Sequence, residues 1–72
     1  MNAEKVLLDR LKRMEIQKTF KDRMAALPVS NAHFCDEISI AYSTMSRLLS
    51  LNYAAGWKTI NRVEDGLKKY NL

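Results

Sequence analysis

One cysteine, one proline, two glycines and one histidine are all that this chain of 72 residues holds of those four types. Each scarcity excludes something. A single cysteine, Cys35, cannot close an internal disulfide. His33 and Cys35, two positions apart on a predicted helix, do not supply the several ligands a metal centre needs, so no metal or cofactor is expected. Gly56 and Gly66 stand too far apart for a Gly-rich phosphate loop, and no G-x-S-x-G nucleophile motif occurs. Asp36–Glu37 and Glu64–Asp65 are sequence neighbours that point different ways on a helix, so neither pair forms a catalytic dyad. The chain reads as a non-enzyme. No apolar run approaches the length of a membrane span and no signal peptide opens the sequence, which favours the cytoplasm.

What remains is an ordinary globular composition, 47% hydrophobic and 28% charged. It predicts one domain, residues 1–72, whose core is small enough that self-association would add useful stability. The formal charge is +4. Residues 1–27 carry seven Lys/Arg against four Asp/Glu, and residues 28–72 five against four. The excess suits an anionic partner such as nucleic acid, but it is too evenly spread to locate a binding face.

Nothing alternates with period two, so the expected fold class is all-α. Residues 2–26 lack Gly and Pro and predict one helix of roughly 37 Å at about 1.5 Å per residue. Its apolar stripe changes face. Leu7, Leu11 and Met14 share one side, whereas Ile16, Phe20, Met24 and Leu27 share nearly the opposite one at about 100° per residue. One small core cannot cover both. An unbroken helix is therefore expected, with residues 1–15 as a dimerisation extension in which Val6, Leu7, Leu11 and Met14 meet a second copy. Pro28 ends this segment, and Ser30 or Asn31 caps a short helix over 32–37. A turn at 39–41 leads to a second short helix over 42–49. A closing helix starts near Trp57, where Trp57, Ile60, Val63 and Leu67 draw one apolar stripe with Trp57 as a core anchor. Lys18, Lys21 and Arg23 read as a solvated face.

Two short helices joined by a tight turn make steric demands on a window that starts at Asn31. Its fourth position must be apolar and is Phe34. The fifth, where the helices touch, must be small and is Cys35. Ile38 and Ile40 flank the turn, and Met45 and Leu48 anchor the second helix. All six positions fit.

The stretch "SIAYSTMSRLL" resembles the turn and recognition helix of the Cro/phage-repressor (lambda-repressor-like) family, and "WKTINRVEDGLKKY" resembles the helix that closes the core of those domains. The likeness covers about residues 20–70. It departs from the family pattern at Ser39, where Gly is usual in the turn, and at Ala41, where Ser or Thr usually caps the helix. The resemblance implies a helix-turn-helix over 31–49 and a DNA-binding transcription regulator, typically a repressor of a phage or other mobile element. It further implies a homodimer on a two-fold-related operator of double-stranded DNA. Base contacts would fall to Tyr42, Ser43, Ser46 and Arg47, and backbone contacts to Asn31, Thr44, Asn52, Tyr53, Lys58 and Thr59. Asp36 and Glu37 would sit away from phosphate. Two other classes stay open: a protein-interaction module on the same fold, such as an antitoxin or an inhibitor of a host factor, and an assembly protein that uses the long first helix as its interface.

Overall fold

From Ala3 the chain meets no helix breaker until Pro28, and the result is a single helix, α1 (Ala3–Ala25). The computed structural model describes residues 3–72, so the first residue of the expected helix, Asn2, lies outside the described residues. α2 (Asn31–Glu37), α3 (Tyr42–Leu49) and α4 (Trp57–Lys69) follow, and no strand occurs among the described residues. The architecture is all-α, as expected. None of these helices is long and apolar enough to cross a membrane.

α1 runs unbroken through the point where its apolar stripe changes face. Its second half buries Gln17, Phe20 and Met24 against α3 and α4. Its first half extends past the core and accounts for a longest dimension of 41 Å against 24 and 18 Å across. Arg23 departs from expectation. It is half-buried, donates to the Glu64 carboxylate through both terminal nitrogens (the Nη2 bond 3.0 Å), and sends Nε to the Leu72 carbonyl at 2.8 Å. A bidentate fork of this kind ties α1 to α4 and to the last residue of the chain.

α2 starts one residue earlier than predicted because Ser30 is its cap: the Ser30 hydroxyl accepts from the His33 amide at 3.1 Å. Its end is a left-handed stop. The Ser39 amide reaches the Asp36 carbonyl, the Ile40 amide reaches the Cys35 carbonyl, and Ser39 itself sits at φ 58°. That is the Schellman arrangement, usually built on Gly. α4 closes identically, with Asn71 at φ 63° and the Leu72 amide on the Leu67 carbonyl. The turn that follows α3 holds Leu51 at φ 62°, with its amide on the Leu48 carbonyl at 3.3 Å.

The core gathers Phe20 and Met24 from α1, Phe34 and Cys35 from α2, Ile38 and Ile40 between the short helices, Met45 and Leu48 from α3, Ala55, and Ile60, Val63 and Leu67 from α4. Each large side chain buried there contributes about 1.5–3 kcal/mol relative to exposure. All six apolar positions of the 31–50 window lie within it. Gly66 is also buried, and its position on α4 is dictated by close approach: a Cβ there would lie 2.5 Å from Ile38 Cγ2 and 3.0 Å from the Phe34 ring. Trp57 does not anchor the core. It stays 36% exposed at the first position of α4, and its indole N–H donates to Asp9 Oδ1 at 2.6 Å.

Candidate nucleic-acid interface

α3 is short, and its two sides differ sharply. At about 100° per residue, Met45 and Leu48 fall on one side and Tyr42, Ser43, Ser46 and Arg47 on the other. The burial follows: Met45 is 1% and Leu48 0% exposed, whereas Tyr42 is 58% exposed and Ser43, Ser46 and Arg47 are exposed with it. Thr44 and Leu49 lie half-buried at the edges. The hydroxyls of Tyr42, Ser43 and Ser46 form no side-chain hydrogen bond within the described chain. Ser50, just past the helix, spends its hydroxyl on the Arg47 carbonyl at 2.6 Å.

The start of α3 is bare. Ala41 takes the extended cap conformation, φ −61° and ψ 140°, but supplies no side-chain acceptor. The first amides of the helix therefore keep their unsatisfied N–H groups and their share of the helix dipole.

Arg47 and Tyr53, expected independently as contact residues, are brought together. The Arg47 guanidinium carbon stands 5.5 Å from the centre of the Tyr53 ring. A guanidinium stacked on an aromatic face loses rotamer freedom while its N–H edge stays available for bonding. Asn52 is exposed beside them. Lys58 is exposed and Thr59 half-buried on the first turn of α4, and Asn31 is exposed on the first turn of α2; none of these side chains bonds to α3. Residues 38–63 contain no Asp or Glu at all. Glu37, just before that stretch, accepts a hydrogen bond from the Tyr70 hydroxyl and lies 3.5 Å from His33 Nε2.

The residue that sets this surface is one the sequence reading passed over. Gln17 is 1% exposed. Its Nε2 donates to the Leu48 carbonyl at 2.6 Å and to the Tyr53 carbonyl at 2.9 Å, and its Oε1 accepts from the Ala55 amide at 3.0 Å. Arg13 adds a bond from Nη1 to the Ala55 carbonyl at 3.0 Å, and Asp9 holds both Arg13 and Trp57. α1 thereby fixes the end of α3, the connection over 50–56 and the start of α4 relative to one another. No buried side-chain nitrogen or oxygen is left without a partner among the described residues.

Burial, with the Asp36 charge beside it, raises the Cys35 thiol above its ordinary pKa, which disfavours the reactive thiolate. No group of three or more His, Cys, Asp or Glu among the described residues is placed to hold a metal ion. Comparison with protein-family models, curated proteins and solved structures finds no match to this chain.

Proposed function

We propose that this chain is a sequence-specific DNA-binding transcription regulator. In this reading α2 and α3 act as a helix-turn-helix, and α3 enters the major groove. The observation that carries it is the two-sidedness of α3: Met45 and Leu48 are locked into the core, while Tyr42, Ser43, Ser46 and Arg47 stand free on the opposite side. A short helix pinned along one side, with unspent hydrogen-bonding groups along the other, suits readout of base edges. The carboxylate-free stretch 38–63 removes the charges that phosphate would repel.

Tyr42, Ser43 and Ser46 then address base edges, with the Tyr42 ring suited to a thymine methyl. Arg47, held against Tyr53, presents its fork to guanine or to a neighbouring phosphate. Asn31, at the start of α2, and Asn52, Tyr53, Lys58 and Thr59, around the α3–α4 connection, grip the backbone, with Thr44 at the edge of the reading face. Two copies would occupy half-sites about one helical turn apart and repress by covering a promoter.

Selection of bound duplexes from a random DNA pool tests the reading. Winners with two-fold symmetry are the expected result, with affinity that falls steeply as salt rises through counterion release. Arg47→Ala and Ser43→Ala should relax discrimination, and Lys58→Ala should weaken all sequences alike. A pool that yields no enrichment even at low salt would overturn DNA binding and favour a protein partner on the same surface.

A further inference from the structure

The first half of α1 carries a ridge that its own domain leaves uncovered. Leu7, Leu8 and Leu11 are 56%, 57% and 50% exposed, and Met14 is half-buried. In a heptad frame Leu7 and Met14 occupy d positions and Leu11 the a position between them. The residues that hold α1 to its domain, namely Asp9, Arg13, Ile16, Gln17 and Phe20, fall at c, f and g. One helix thus serves two faces, the domain on one and an open seam on the other. Val6, 49% exposed, falls at c and lies off the seam, and Leu8 at e flanks it instead.

The flanking charges state which occupant fits and in which direction. Arg10 is at g and Glu15 at e; both are exposed, and neither makes an ion pair within the described chain. In a parallel pair of helices, a g residue faces the e residue five positions on in its neighbour. Arg10 of each copy then meets Glu15 of the other, twice by symmetry, and Ala3 leaves room for Leu8. In an antiparallel pair g faces g, which brings the two Arg10 side chains together. We propose that α1 forms a parallel two-stranded contact with α1 of a second copy, seamed by Leu7, Leu11 and Met14 and held in register by reciprocal Arg10–Glu15 pairs. The contact spans about two heptads, below the size of a standard stable interface, so the dimer is weak. This gives geometry to the two-copy arrangement proposed above, but it needs no DNA contact to be true.

Sedimentation equilibrium of the full chain without DNA tests it, with circular dichroism to confirm that each variant is folded. The wild-type chain should self-associate, and Leu11→Asp should leave a monomer. Arg10→Glu and Glu15→Arg should each weaken the dimer by about tenfold, since each turns two attractions into repulsions. The double variant R10E/E15R should recover the wild-type constant. A wild-type chain that stays monomeric at hundreds of micromolar overturns the contact. Failure of the double variant to recover overturns the parallel register. Neither result touches the DNA selection, so failure of this contact and failure of DNA binding remain distinguishable.

Discussion

Replacing Gln17 by Met keeps the length and volume of the side chain and removes all of its hydrogen bonds. Three backbone groups lose their partner. The Ala55 amide, on a residue 2% exposed, has no other acceptor, and a buried N–H left unmet costs about 1–3 kcal/mol. The Tyr53 carbonyl is only partly buried and loses roughly 0.5–1 kcal/mol on the same scale. The Leu48 carbonyl keeps a bond from the Leu51 amide and loses little. Thioether burial returns part of this, so the net loss should be about 2–3 kcal/mol. A domain of this size has about 4–11 kcal/mol in total, so the change should be plain. Urea titration followed by circular dichroism measures it, and hydrogen exchange localises it to the Ala55 amide. Gln17→Glu should be worse at neutral pH, because a carboxylate would face the Leu48 and Tyr53 carbonyls, and it should improve on acidification as that carboxyl protonates. A Gln17→Met chain within 1 kcal/mol of wild type, with Ala55 still protected, would refute the idea that this amide organises the α3–α4 connection.

Further outcomes follow from the same structure. Hydrogen bonding to Arg23 holds the Glu64 carboxyl below its ordinary pKa of 4.5, so the pair stabilises the fold above that value and its contribution fades as pH falls through the lowered one. Glu64→Gln should therefore lower the urea midpoint near neutral pH and flatten its decline in acid; unchanged midpoints would remove the pair from the stability account. Gly66→Ala should destabilise by about 1–3 kcal/mol in thermal melts, since the clash with Ile38 and Phe34 outweighs a gain in helix propensity of about 1 kcal/mol. Ser39→Gly should raise the melting temperature by relieving a left-handed backbone worth roughly 1 kcal/mol, and Ala41→Ser should add about as much by capping α3.

Where neighbours in the chain decide the conformation, the sequence was readable. The bounds of α3 and the start of α4 follow from the apolar spacing and Gly56, and the left-handed turn at Ser39 and the missing cap at Ala41 were visible as departures from the family pattern. The face change in α1 was likewise legible, because helical periodicity is local. Gln17 was not. An apolar pattern passes over a polar residue, and its burial depends on carbonyls and an amide 31 to 38 positions away. Arg23 was misread for the same reason: its partner Glu64 is 41 positions distant. Trp57 fits the stripe of α4, yet it sits at the helix end, where the stripe runs past the core, and Asp9 satisfies its indole at the surface. The exposed polar face of α3 was legible as chemistry, while the stacking of Arg47 on Tyr53 required the fold.

The unbroken course of α1 has a mechanical meaning. Leu7 and Gln17 sit on one continuous rod, roughly 15 Å apart along its axis. At one end is the exposed leucine ridge, and at the other is the glutamine that grips the last turn of α3. A rod without a hinge holds both in one fixed relation, so the direction in which the leucine ridge points also sets the direction in which α3 is presented.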